Sequence, residues 1–168
     1  MAVSRDLFRA LSGSFPTGVA IVTTVAADGS PKGLTTQSYV GLSTEPPLML
    51  VSVDKTSRTL VALRHSRAFC VNFLKVGAED VATLFASKAE DKFAGVPFRS
   101  STLAGGAPML VEQSVAVAEC VVTEIIEAGD HWLFIGSVEG GTVSGGTPVM
   151  YYKRTYAAWP EERPAPAM

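Results

Sequence analysis

The stretch Val115-Ala116-Val117-Ala118-Glu119-Cys120-Val121-Val122-Thr123-Glu124-Ile125-Ile126, followed by Gly129-Asp130 and then His131-Trp132-Leu133-Phe134-Ile135-Gly136-Ser137-Val138, decides the fold. Both arms are rich in β-branched and aromatic residues, and the Gly-Asp pair between them is a turn signal. The segment therefore reads as a long antiparallel hairpin. Downstream, residues 148–152 form one more strand pattern. Upstream, residues 68–74 and 48–53 are apolar runs of strand length, the second entered through Pro46-Pro47. Residues 19–26 and 32–37 flank Ala27-Asp28-Gly29-Ser30, whose Asp-Gly pair marks another hairpin.

Helical patterns are few and short. Residues 4–12 place Ser4 as N-cap and Leu7, Phe8 and Leu11 on one stripe. A second helix is expected to open in Asp54-Lys55-Thr56-Ser57 and run to about Arg64, with Leu60 and Leu63 facing the core. A third covers residues 79–85, and residues 86–110 read as loop with at most a helical turn near Asp91-Lys92-Phe93. The strands follow one another without the helical crossovers that a parallel sheet needs. The predicted class is mainly β, a closed or partly closed antiparallel barrel with a few short helices outside it.

A chain of 168 residues with 47% hydrophobic content predicts one domain over residues 1–160 and a flexible Pro/Ala-rich tail at 161–168. The 14 Lys plus Arg and 16 Asp plus Glu are scattered, with no basic block to track a phosphate backbone, so nucleic acid is not an expected partner. No apolar run approaches the roughly 20 residues of a spanning helix, and the start of the chain lacks a signal-peptide pattern. A soluble, cytoplasmic protein with no membrane contact is expected. Cys70 and Cys120 each sit in an apolar run and read as buried thiols, not a disulfide. Gly-x-Gly-x-x-Gly after a strand, a phosphate-loop Gly-Lys-Ser/Thr, paired Cys-x-x-Cys and His-Glu-x-x-His are all missing, which argues against a Rossmann nucleotide site, an ATPase and a zinc hydrolase. No metal ligand is assigned.

Three segments carry candidate chemistry. Thr35-Thr36-Gln37-Ser38 ends a strand with polar groups that suit the carbonyl and imide edges of a flat heteroaromatic ligand, and equally suit turn formation. Ser57-Arg58-Thr59, after a buried strand, offers hydroxyls, amides and a guanidinium to a ligand phosphate, or is an ordinary capped helix. His131 follows the Gly129-Asp130 turn, where it either reaches a cleft or stands on the surface. Lys88 and Lys92 in the following loop are further candidates for a phosphate contact or for plain surface charge.

Taken in order, Phe15-Pro16-Thr17-Gly18-Val19, Thr35-Thr36-Gln37-Ser38-Tyr39, Pro46-Pro47-Leu48, Ser52-Val53-Asp54-Lys55-Thr56-Ser57-Arg58-Thr59, Phe69-Cys70-Val71-Asn72, Phe85-Ala86, Asp91-Lys92-Phe93, Gly129-Asp130-His131 and Tyr151-Tyr152 resemble the flavin reductase domain family, the reductase components of two-component flavin monooxygenases. The resemblance spans residues 5–156. It implies an antiparallel split β-barrel of the Greek-key, FMN-binding type, usually a homodimer with flavin near the subunit boundary. It also implies FMN, with FAD as the alternative, NADH or NADPH as hydride donor, and an oxygenase component that receives the reduced flavin.

On matching positions the resemblance places the flavin ring against Thr35, Thr36, Gln37 and Ser38, and the phosphate against Ser52, Ser57, Arg58 and Thr59. Phe85 and Ala86 are implied as further flavin contacts, and His131 as the residue that meets the nicotinamide; Lys92, from its loop position, joins the cofactor-binding candidates. Tyr39 stands where Phe is usual, and Gly41-Leu42 replaces a commoner Ser-Val pair, so no side chain at 41 can touch a ring. Two rivals fit the same barrel: a non-catalytic FMN-binding or electron-carrier protein, and an oxidase like the pyridoxamine-phosphate oxidases.

Overall fold

In the computed structural model, which describes residues 2–160, the elements are α1 (Arg5–Ser12), β1 (Thr17–Gly18), β2 (Ala20–Val25), β3 (Pro31–Thr36), β4 (Tyr39–Thr44), β5 (Pro47–Asp54), α2 (Leu60–Ser66), β6 (Ala68–Leu74), α3 (Glu79–Ala86), β7 (Arg99–Ser100), β8 (Pro108–Met109), β9 (Ser114–Ala128), β10 (His131–Val143), β11 (Val149–Tyr152) and β12 (Thr155–Ala158). The tail expected at 161–168 lies outside the described residues. Seven strands form one antiparallel sheet in the order β3-β2-β6-β9-β10-β5-β4, with the hairpin β9–β10 at its centre. A smaller sheet, β1-β11-β12, and the pair β7-β8 complete the strands.

The two edges of the large sheet, β3 and β4, are neighbours in the chain, joined by Gln37 and Ser38 alone. Three peptide steps span at most about 11 Å. The sheet must curl until its edges approach at that end, yet no hydrogen-bonded ladder joins β3 to β4. The result is a barrel left open along one seam, in the mainly antiparallel β class that the sequence predicts.

Burial explains why several strands read as continuous apolar runs. In β2, Val22 faces the barrel interior with Val51, Val53, Phe69, Val71 and Phe134, whereas Ile21 packs outward with Leu74, Ala82, Phe85, Leu110 and Val149 beneath α3 and β11. A strand covered on both faces loses the alternation of apolar and polar residues. Cys70 and Cys120 are free and buried, and desolvation pushes both thiols up to about 12.

Three features depart from the sequence pattern. β4 was hidden by Gly41 and by a bulge between Gly41 and Ser43, and it exists because it pairs with β5, Tyr39 opposite Val51. The segment expected as loop contains β7 and β8, and β12 folds back on β11. The second helix begins at Leu60, not within residues 54–57. The Asp54 carboxylate accepts from the amide and hydroxyl of Thr56, and the Ser57 amide donates to the Asp54 carbonyl, so residues 54–59 are spent in turns before the helix.

Candidate functional site

The site grows from β3, where Gly33 lets the ring of Phe85 lie directly on the backbone. A Cβ at position 33 would stand 2.7 Å from that ring, so only glycine fits. Phe85 is buried and meets Phe93 edge to face at 4.9 Å, which fixes the end of α3 against the strand. The Gly33 carbonyl then becomes an anchor for two other segments. Thr59 donates its hydroxyl to it at 3.1 Å and Lys92 its ammonium at 3.4 Å.

Lys92 also donates to the Phe85 carbonyl at 2.6 Å, and Arg58 donates to the Ala89 carbonyl at 3.0 Å. Both cations are thus held by neutral backbone oxygens. Among the described residues, no carboxylate lies within ion-pair distance of either. Burial, and then the neighbouring Arg58 charge, holds the Lys92 ammonium below the usual lysine range. The Asp54 carboxyl lies below its ordinary range because the hydroxyl and amide of Thr56 donate to it. The Arg58 amide has no partner among the described residues.

Two adjoining hollows of about 470 and 420 Å³ share Arg58, Thr59 and Lys92 and form one groove. The second is also lined by Thr35, Ser57, Phe85, Ala86 and Lys88. Seven of the sequence-predicted site residues therefore converge there: Thr35, Ser57, Arg58, Thr59, Phe85, Ala86 and Lys92. Phe85 contributes its carbonyl and its bulk behind the wall, because its ring is committed to the core. The Thr35 hydroxyl donates to the Ala82 carbonyl at 2.6 Å and keeps lone pairs for a further contact.

The remaining candidates lie around this groove, outside its lining. Thr36 accepts from the Ser38 amide at 2.9 Å, and the Ser38 carbonyl accepts from the Ser52 amide at 2.9 Å, a chain that ties the seam together. Gln37 lines a separate hollow. His131 opens β10 opposite Asp54, with Nδ1 2.6 Å from the Asp130 carboxylate, and stands partly exposed beside the 54–59 turns. Sequence reasoning missed Gly33 and Ala89. The glycine inside a strand pattern is a readable sign of close backbone approach, but the Ala89 carbonyl leaves no sign at all.

A guanidinium, an ammonium, a free amide and hydroxyls around one groove make a seat for a phosphate. The profile of the flavin reductase like domain matches residues 12–160. The chain belongs to that family. The flavin reductase (NADH) of Kitasatospora aureofaciens is 41% identical over 166 residues, covering 95% of this chain and 84% of that protein. The flavin-dependent monooxygenase reductase subunit HsaB of Mycobacterium tuberculosis is 39% identical over 163 residues, covering 95% of this chain and 85% of the relative. Among solved structures, the NADH:FAD oxidoreductase SgcE6 of Streptomyces globisporus, in complex with NAD and FAD fragments, superposes with a TM-score of 0.86 at 30% identity, over 95% of this chain and 97% of that one. This flavin reductase family member also has no helix, among the described residues, long and apolar enough to cross a membrane.

Proposed function

We propose that this chain is an NAD(P)H:flavin oxidoreductase, with residues 1–160 acting as one domain. FMN is the preferred flavin and FAD the alternative. The observation that carries the reading is the pair Arg58 and Lys92, both pinned by carbonyls and lacking any carboxylate partner among the described residues. Two such cations beside a free amide fit a phosphoryl tail. A flavin bound there supplies the hydride acceptor, and the nicotinamide substrate supplies the hydride.

Arg58, Lys92, Ser57 and Thr59 hold the phosphate. Thr35, Thr36, Gln37 and Ser38 border the ring, and Ser52 stiffens that border through the Ser38 carbonyl. Phe85 and Ala86 close the wall. His131, oriented by Asp130, positions the nicotinamide. The site needs no strong acid–base pair, because hydride transfer between two cofactors requires chiefly stacking and alignment.

The names of the relatives support the hydride donor and an oxygenase component that takes the reduced flavin. A homodimer is supported by the outer face of β4, β5 and β10, where Val40, Leu50 and Ile135 lie side by side in register and Val40 is 47% exposed. The decisive experiment is anaerobic mixing of the protein with FMN or FAD and NADH or NADPH, following the oxidised flavin absorbance. Bleaching with catalytic protein supports the reading. Tight flavin binding without bleaching would assign the chain to the electron carriers.

A further inference from the structure

In α1, Arg9, Ala10 and Gly13 line a hollow together with Gln37 and Tyr151, so that side of the helix faces the barrel. Leu7, Phe8 and Leu11 repeat the same spacing two residues earlier, about 200° away around the helix. They point outward and are 50%, 61% and 59% exposed, and the exposed Val3 and Phe15 extend the stripe at its two ends. A surface helix ordinarily turns its apolar stripe to the core. This one is mounted the other way round, and it buries none of its eight residues. Ser4 caps it by accepting from the Leu7 amide at 3.2 Å, yet a helix of this length is marginal in water until its apolar face is covered.

A second apolar face lies open beside it. Tyr39, Val51, Val53 and Phe134 point into the barrel, so the residues that alternate with them on β4, β5 and β10 point out. Val40, Leu50 and Ile135 form one outward row across the three strands, and the row ends on Glu124 of β9. Ser52, Leu133 and Ile126 form the next row, and the Ser52 amide donates to the Ser38 carbonyl at its edge. Among the described residues, none of these outward apolar side chains belongs to a buried cluster. A sheet face open to water is ordinarily polar, whereas these rows are mainly apolar.

The two surfaces adjoin. Gln37 lines the hollow beneath α1, and its neighbour Ser38 stands at the edge of the sheet face. Within one chain neither surface covers the other, because Leu7, Phe8, Leu11 and Val40 all stay exposed. A two-fold axis near Gln37 and Ser38 lays each copy's stripe on the other's face. Charge agrees with this: among the described residues Arg5 and Glu124 have no ion-pair partner, and one borders the stripe while the other borders the face. Ser38 and Ser52, both assigned to the flavin site, lie outside the groove that holds Arg58 and Lys92, on this same open side. We propose that α1 of a second copy lies across the outer face of β4, β5 and β10 and supplies the missing wall of the ring site. The proposal rests on the homodimer and flavin-site readings above.

The test uses two variants, F8E/L11E on the stripe and V40E on the face. All three positions are exposed in a single chain, so circular dichroism should show both variants folded. In sedimentation velocity the parent should be a dimer, and each variant should weaken it about a hundredfold, as removal of buried apolar side chains from both copies requires. FMN affinity should fall about tenfold with the dimer in each variant. Mixing the two variants pairs the intact stripe of V40E with the intact face of F8E/L11E, so dimer and FMN affinity should both recover, with one complete site in each mixed pair. A parent that stays monomeric would overturn the proposal together with the homodimer reading. A dimer that persists in F8E/L11E would overturn the proposal alone and leave α1 open to a different protein. Failure of the mixture to recover would exclude the exchange between copies. Dissociation with unchanged FMN affinity would remove α1 from the ring site.

Discussion

Replacing Lys92 by methionine keeps the reach of the side chain and deletes its charge. The Lys92 ammonium is fixed in place by the Phe85 and Gly33 carbonyls, so it meets a phosphate without first being ordered. A hydrogen bond to a charged group contributes about 1.5–3 kcal/mol. Lys92 is half-buried, and solvent screening places its contribution at the lower end, about 1.5–2 kcal/mol, or roughly 10–30-fold in Kd. Titration of flavin fluorescence should show that loss for FMN, while riboflavin, which has no phosphate, stays within twofold. The pH dependence adds a sign. Because burial and Arg58 lower its proton affinity, Lys92 loses its charge below the ordinary 10.5. FMN affinity should therefore fall as pH rises through that lowered value, and K92M should lack this alkaline fall. Equal losses for FMN and riboflavin, or no loss for either, would refute the phosphate seat.

His131→Ala should raise the nicotinamide KM or lower turnover in steady-state assays, while FMN affinity measured by titration stays nearly fixed. If all three are unaltered, His131 has no place in the site. Gly18→Ala should cost about 1–3 kcal/mol in urea unfolding, because its Cβ would lie 2.5 Å from the Tyr39 hydroxyl. In a Tyr39→Phe background the nearest ring atom is the Cζ at 3.8 Å, so the same change should be close to neutral. An equal cost in both backgrounds would contradict the packing.

The last pair also shows what was legible. Tyr39 stands out in the sequence against the family's Phe, but only the fold reveals its neighbour: Gly18 gives room to the hydroxyl, and the ring meets Phe73 at 5.1 Å inside the barrel. The central hairpin and β6 were readable because their composition and turn residues are local properties. β4 was not, since its edge position leaves Val40 and Leu42 exposed and its only ladder is with β5. Arg58 and Lys92 were readable as charges, whereas their holders are carbonyls, which every residue type supplies. The early helix start had a physical cause too: an aspartate that accepts from the amide two residues on serves a turn as well as a helix cap.

The position of β5 between β4 and β10 carries a consequence for synthesis. Asp54 pairs with His131, and the Lys55 amide donates to the Asp130 carbonyl, so the turns that present Arg58 are braced by residues made far later. A growing polypeptide halted near residue 110 would already contain Thr35, Arg58 and Lys92, yet their scaffold would still lack β9 and β10, the hairpin that links β6 to β5 in the sheet. Ligand capture must then await the emergence of the C-terminal third from the ribosome.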